Sequence, residues 1–445
     1  MSALPPDLAE RPPLPPALAA IASCVNGYDP SALPVAAAQD FIARFVPTLA
    51  EGGAVERLAL RACLGRVLAE DQLSRIDVPA HDNSAMDGYA LRGADLAAEG
   101  ETRLPIVGKG LAGAAFQGAA VPPGACVKIT TGALMPAGLD TVVPQEFCRV
   151  EGEQVSVPAG VVRPGDNRRL RGEDLALGEA AMRAGRLISP SDLGLAASLG
   201  LAELPVRRRL RVAFFSTGDE LRSIGEPLDA GCVYDSNRYT LHGMLSRLGV
   251  ELLDLGVVRD EPAALEAAFR SAAASADAVI TSGGVSVGEA DHTKQVMARL
   301  GEVAFWRIAM RPGRPMAFGR IGAGPQGPGA VLFGLPGNPV AVMVTFYAFV
   351  RDALLRMAGA SPQPLPTLRV RSLETLRKKP GRTEYQRVSL QQAADGVWDM
   401  RLTGAQGSGI LRSMSEAQGL AVLGHDQATV RPGDWVEVLP FHGLI

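Results

Sequence analysis

The chain has 445 residues, a formal net charge of −3 at pH 7 and 5% aromatic residues. That length exceeds one ordinary domain, and the near-neutral balance excludes a general attraction to nucleic acid or to an anionic membrane surface. Five cysteines without a CxxC pair argue against a zinc cluster or disulfide framework and fit a reduced, cytoplasmic chain.

Residues 1–34 are rich in Pro and Ala with few large apolar groups and are predicted to form a flexible leader. Helical patterning begins at Val35, with Phe41, Ile42, Phe45 and Leu49 on one face, and a second helix is predicted over 55–68, with Cys63 as a small buried residue. From Ile76 the texture changes to short Val/Ile runs separated by Gly and Pro, at 105–108, 127–133, 141–144 and 155–157. This predicts a small β domain over 76–174. It is inserted in a helical, linking domain made of 35–75 plus 175–207, whose second part carries a helix near 191–199. Two basic runs, Arg207-Arg208-Arg209 and Arg377-Lys378-Lys379, read as solvated faces.

Over 208–360 short apolar runs alternate with helical patterns, which predicts an open, mostly parallel α/β sheet domain. The strands are expected at 212–215, 252–258, 277–280, 303–310 and 331–333, with Asn237 capping the helix after the first. The unusual residues fall in the turns that follow: Ser216-Thr217-Gly218-Asp219-Glu220, Asp260, Ser282-Gly283-Gly284 with Asp291, Arg311-Pro312-Gly313-Arg314, and Pro336-Gly337-Asn338-Pro339. Right-handed crossovers bring parallel strand ends to one edge, so Glu220, Asp260, Ser282, Asp291, Arg311 and Arg314 should share one rim. Exposed glycine N–H groups and helix N-termini suit a phosphate there. Carboxylates beside a phosphate would repel it by about 4 kcal/mol at about 4 Å in an effective dielectric near 20. A Mg²⁺ ion held by Glu220, Asp260 and Asp291 resolves the conflict. No GxGxxG follows the first strand, which excludes an ordinary nicotinamide dehydrogenase. The longest apolar run, 340–350, is too short to cross a bilayer and reads as a buried helix. After a Pro-rich linker, residues 366–445 alternate again at 368–371, 386–390, 419–423 and 435–439, which predicts a C-terminal β-barrel domain.

Five stretches carry a resemblance: Asn83-Ser84-Ala85-Met86-Asp87-Gly88-Tyr89-Ala90, Arg171-Gly172-Glu173-Asp174, Ser216-Thr217-Gly218-Asp219-Glu220-Leu221, Ser282-Gly283-Gly284-Val285-Ser286-Val287-Gly288-Glu289-Ala290-Asp291 and Leu335-Pro336-Gly337-Asn338-Pro339. In this order they resemble the molybdopterin molybdenumtransferase family, from about Val35 to Phe441. The resemblance implies a Mg²⁺-dependent, elongated homodimer that converts adenylylated molybdopterin and molybdate into molybdenum cofactor and AMP. Its active-site cleft lies between subunits, and a transient contact with the molybdopterin adenylyltransferase is expected. By the same resemblance, Asp87, Thr131 and Asp174 enter from the inserted domain, and Glu220, Asp260 and Asp291 from the α/β domain. The Ser282-Gly283-Gly284 backbone cradles phosphate, and Arg311, Arg314, Arg387 and Ser408 bind molybdate. Lysines are frequent in such enzymes where this chain has Arg307, Arg311 and Arg314, and a serine is common at Ala341. Two other functions remain open on sequence: a molybdopterin adenylyltransferase, and a non-catalytic scaffold of the same fold.

Overall fold

The computed structural model describes residues 15–47, 54–285, 292–322, 329–361 and 363–441. Its central sheet has six strands, in the spatial order Glu251–Val258, Arg211–Thr217, Ala278–Ser282, Ala330–Leu335, Pro315–Ile321 and Gly301–Arg307. The first four run parallel, with Val212 opposite both Leu252 and Ala278, and Ala278 opposite Val331. Pro315–Ile321 is antiparallel to both its neighbours. The sheet is therefore mixed rather than parallel throughout, and sequence reading missed this strand because it follows a Pro-Gly turn directly. The extra strand preserves the rim: two reversals leave Gly301–Arg307 running with the main set, so the 308–314 loop opens on the same edge as the parallel strand ends.

Both faces of the sheet are covered, which requires continuous apolar strands. Successive side chains point to opposite sides, so Phe214, Ile280 and Phe333 join one core while Phe215, Val279 and Leu332 join the other. Phe215 meets Phe269 of the helix Pro262–Ser275 edge-on at 5.1 Å. On the opposite face the expected buried helix is present as Pro339–Thr345, a π-helical turn Phe346–Val350 and Arg351–Met357.

The N-terminal expectations need correction. Within 15–34 the chain forms a helix, Pro16–Ala22, whose Leu18 is fully buried. Trp306 Nε1–H donates to Tyr28 Oη at 3.0 Å, and Leu33 joins the backbone of Arg307 and Ala309 at 3.0 and 2.7 Å. The predicted flexible leader is thus a docked strap from residue 15 onward, because a few well-placed apolar groups outweigh a Pro/Ala-rich average; residues 1–14 lie outside the described residues. The helix Val35–Phe45 packs Phe41 edge-on against Trp306 at 5.0 Å, which makes it part of the α/β core rather than of the linking region. The second predicted helix is instead a strand, Val55–Ala59, antiparallel to Glu203–Arg207, followed by the short turn Leu60–Ala62. Its apolar residues serve a two-stranded ladder, a pairing invisible to local periodicity. Helix Pro190–Ser198 does form, opened by a capping box of Ser189 and Asp192.

The inserted region is a six-stranded sheet in the order Thr141–Pro144, Gly88–Leu91, Cys126–Ile129, Glu101–Gly110, Gln154–Pro158, Arg149–Glu151. At the C-terminus five strands close into a barrel. Thr383–Gln392 pairs with Trp398–Leu402 and Gly419–Leu423, and Leu368–Ser372 and Trp435–Pro440 complete the ring. Sequence reading missed Trp398–Leu402, although its Trp-Asp-Met-Arg-Leu alternation has the period of a half-buried strand. Lys378 was expected on a solvated face but is 5% exposed and donates to the carbonyls of Lys379, His425 and Gln427. Two residues of the rim loop, Met310 and Arg311, pair with Thr383 and Glu384, which joins the barrel to the sheet edge. Among the described residues no helix is long and apolar enough to cross a membrane.

Candidate active site

Where the sheet rim meets the barrel, a cleft of about 780 Å³ opens. Glu220 and Asp260 line it from the turns after two neighbouring parallel strands, Arg311 and Arg314 from the 308–314 loop, and Ser408 from the barrel. Arg382, which sequence reading passed over, lines it too. Alternation along the barrel strand was the available signal. Arg382, Glu384 and Gln386 are linked side chain to side chain, with Arg382 on Glu384 at 2.7 Å and Gln386 Nε2–H donating to Glu384 Oε2 at 3.2 Å, whereas Arg387 points the other way.

Arg387, expected in the molybdate pocket, lies behind the cleft wall instead. It is fully buried and absent from the cleft wall, and its guanidinium donates to Ser413 Oγ at 2.9 Å and to the carbonyls of Ala405 and Gly407 at 3.0 Å each. Burial, aided by the nearby charge of Arg311, pulls its pKa below the ordinary arginine value. It braces the loop that presents Ser408. That loop also reaches the first turn of the helix Pro339–Thr345, because Val340 N–H donates to Ser408 O at 3.1 Å. Asn338 occupies the N-cap position of Pro339–Thr345 without making a side-chain cap bond, and together with Pro336 and Gly337 it lines the cleft. Pro339 opens the helix and does not line the cleft.

The serine-rich turns divide between cleft and support. Thr217, Gly218, Ser282, Gly283 and Gly284 line the cleft. Ser216 is fully buried and donates to Asp235 Oδ1 at 3.0 Å, so its hydroxyl faces inward. Asp219 accepts the Asp260 amide at 3.3 Å and acts as a prop for that turn. Asp260 Oδ1 in turn accepts from Thr293 at 3.2 Å. Gly283 has φ +95°, and a Cβ there would lie 2.3 Å from the Thr217 carbonyl, so only glycine lets these two turns approach. Its amide donates to Leu335 O at 3.1 Å and is committed to the fold rather than to a phosphate. The helix Ser236–Arg247 is capped by Asp235, not Asn237; Asn237 instead reaches across to Ser282 and Gly337.

The residues present fit a hard divalent ion. Mg²⁺ is held by one or two carboxylates plus phosphate oxygens and water, and Glu220 and Asp260 offer two carboxylates to one cleft. Thr217 Oγ1, 4% exposed as a residue, adds a buried oxygen without a partner among the described residues. Asp291 lies outside the described residues, and within them no group of three or more acidic, His or Cys side chains converges.

Asp87, Thr131 and Asp174 are exposed on the inserted region and do not line the cleft. Asp87 accepts from Thr131 N–H at 2.7 Å and Thr131 Oγ1–H at 2.9 Å. These bonds, the backbone one first, hold its carboxyl below the usual carboxylate range. The loop carrying Asp174 is tied to the same surface through Arg171 N–H on Asp82 at 2.8 Å and the pairing of Arg168–Arg169 with Asn83–Ser84.

Three family models match in sequence: the MoeA N-terminal region (domain I and II) over 33–200, a probable molybdopterin binding domain over 213–356, and the MoeA C-terminal region (domain IV) over 369–441. A molybdopterin molybdenumtransferase of Haemophilus influenzae is 39% identical over 391 residues, 88% of this chain and 95% of that one. The chain belongs to the molybdopterin molybdenumtransferase family. A member from Nostoc is 36% identical over 407 residues, 90% of this chain and 92% of that protein. The crystal structure of the molybdopterin biosynthesis moeA protein from Pyrococcus horikoshii OT3 superposes with a TM-score of 0.75 at 26% identity, covering 92% of this chain and all of that one. Against the expectation of a serine common in the family, Ala341 lines the cleft and brings no hydroxyl to it.

Proposed function

We propose that this transferase moves molybdenum from molybdate into adenylylated molybdopterin, releasing AMP and molybdenum cofactor in a Mg²⁺-dependent reaction. The observation that carries the reading is one cleft lined by two carboxylates, Glu220 and Asp260, and three arginines, Arg311, Arg314 and Arg382. A site for a nucleotide-like polyanion and a small dianion needs both signs of charge in separate places, and neither charge set alone would serve.

Glu220 and Asp260, with Asp291 as a third carboxylate, would hold Mg²⁺, which when bound would supply positive charge to offset that developing on the phosphoanhydride. Arg311 and Arg314 hold molybdate with paired N–H donors, Arg382, whose Nε edge is already on Glu384, adds its remaining donors to that wall, and Ser408 adds a hydroxyl. Arginine stays protonated at any working pH, so these residues bind and orient and do not transfer protons. Arg387 keeps the Ser408 loop in register.

The domain limits 35–75 plus 175–207, 76–174, 208–360 and 366–445 describe the proposed functional units, with 35–45 reassigned to the α/β core. In an elongated homodimer, Asp87, Thr131 and Asp174 complete the cleft of the opposite subunit, which is the use their exposed position supports. The protein works in a reduced cytoplasm, consistent with five free thiols, and receives its ligand in a transient contact with the adenylyltransferase.

The test is anaerobic incubation with adenylylated molybdopterin, molybdate and Mg²⁺. AMP release that requires both molybdate and Mg²⁺ is expected. Transfer of AMP from ATP onto molybdopterin, without insertion of molybdenum, would overturn the assignment.

A further inference from the structure

Asn237 is 6% exposed, sits on the cleft wall and reaches two segments that are distant in sequence. Its amide group lies 2.7 Å from Ser282 Oγ and 2.6 Å from the Gly337 carbonyl oxygen. A backbone carbonyl only accepts, so the atom facing it must be Nδ2, and the side-chain orientation follows from the network. Oδ1 is then left buried with no partner among the described residues. A buried acceptor without a donor is costly, so the side chain is held for its two donations, at the expense of its oxygen.

What those donations join is informative. Ser282 ends a parallel strand, and Gly337 belongs to the turn that follows the next strand, 100 residues beyond Asn237. Nearby, the Gly283 amide on Leu335 O and the pairing of Ser282 with Leu335 join the same two strand ends by backbone, short of the Gly337 turn itself. We infer that Asn237 is a positioning residue for the reaction: it fixes the Pro336-Gly337-Asn338 turn against the Ser282 turn and so sets the spacing of the wall that receives the adenylylated ligand. The substrate named here rests on the functional reading above; the brace itself does not. Small displacements of a positioning wall cost far more in rate than in stability. Ser282 and Gly337 both line the cleft, so water can replace the lost donor, and truncation also removes the unpartnered Oδ1.

The experiment compares the full-length protein with Asn237→Ala and Asn237→Asp, the second keeping the shape while removing both donations. Three quantities are read: kcat/KM for adenylylated molybdopterin, the urea midpoint, and hydrogen exchange over 336–341. The expected result is a loss of about tenfold or more in kcat/KM, with the Asn237→Ala midpoint close to wild type and exchange at 336–341 accelerated at least about tenfold. Wild-type kinetics in both variants overturn the inference, as does unchanged exchange. A lowered midpoint with kcat/KM intact in the folded fraction also overturns it, since that is a purely structural role. If wild type shows no turnover at all, the functional reading fails, while accelerated exchange in the variants still supports the brace.

Discussion

The cleft and the inserted sheet both carry acidic residues, yet they hold them differently. In and beside the inserted region the acids are already partnered by neighbouring loops: Asp87 by Thr131, Asp82 by the Arg171 amide, Asp77 by Arg171 and the Leu177 amide, Glu173 by Arg169. In the cleft, groups from positions 220, 260, 311, 314 and 382 face one concavity, and Thr217 Oγ1 and Asn237 Oδ1 have no partner among the described residues. Acids already satisfied by hydrogen bonds and ion pairs tie the loops around them together. Opposite charges brought from far along the chain to one concave wall are arranged for something that binds between them. The inserted acids gain a chemical role only when a second surface faces them, which is why they are proposed to act across a dimer.

The sharpest way to break this contrast is Asp260→Asn. Turnover should fall on the order of a hundredfold or more, with the melting temperature changed by less than about 3 °C, because the side chain sits on a polar wall. AMP release at the wild-type rate would remove Asp260 from the metal-holding set. Next comes Arg387→Ala, which leaves buried carbonyls without donors and should cost on the order of 3 kcal/mol in chemical denaturation. The exposed Arg311→Ala should instead raise the KM for molybdate at nearly unchanged stability. Equal stability losses in the two variants would erase the distinction between brace and ligand-holder.

A third test mixes subunits carrying Asp87→Asn with subunits carrying Asp260→Asn. After verified exchange, random pairing restores about a quarter of the sites, because half the dimers are mixed and each has one intact cleft. Mixtures that stay inactive would separate the two regions for good. The smallest effect is expected for Thr131→Val. Asp87 is held below the usual carboxylate range by hydrogen bonds to its charged form. A depressed folded-state pKa contributes stability above the unfolded value of about 3.9, lost as pH falls through the folded value. Removing the hydroxyl while keeping the amide bond should therefore move Asp87 part of the way back up, as read by carboxyl NMR titration. An unmoved titration would show that the hydroxyl bond does not contribute.

Much of this was legible in the residues. The strand–turn–helix rhythm of 208–360 is written in apolar runs and glycine punctuation, and the turns it marks are the ones that border the cleft. Less was legible where one residue type serves two settings. Pro315–Ile321 looked like the tail of a turn, and Val55–Ala59 looked helical until its partner strand was in place.

By itself the sequence determined which segments carry the chemistry, because strand ends of a parallel sheet share an edge whatever their distance along the chain. Only the tertiary structure decided which side chains on those segments face the ligand. Arg387 turned into a brace while Arg382 took the wall, Ser216 turned inward, and Asn237 crossed 100 residues to reach Gly337. The hydrogen-bond partner of a polar group is set by what packs against it from elsewhere in the chain, and no local pattern encodes that neighbour.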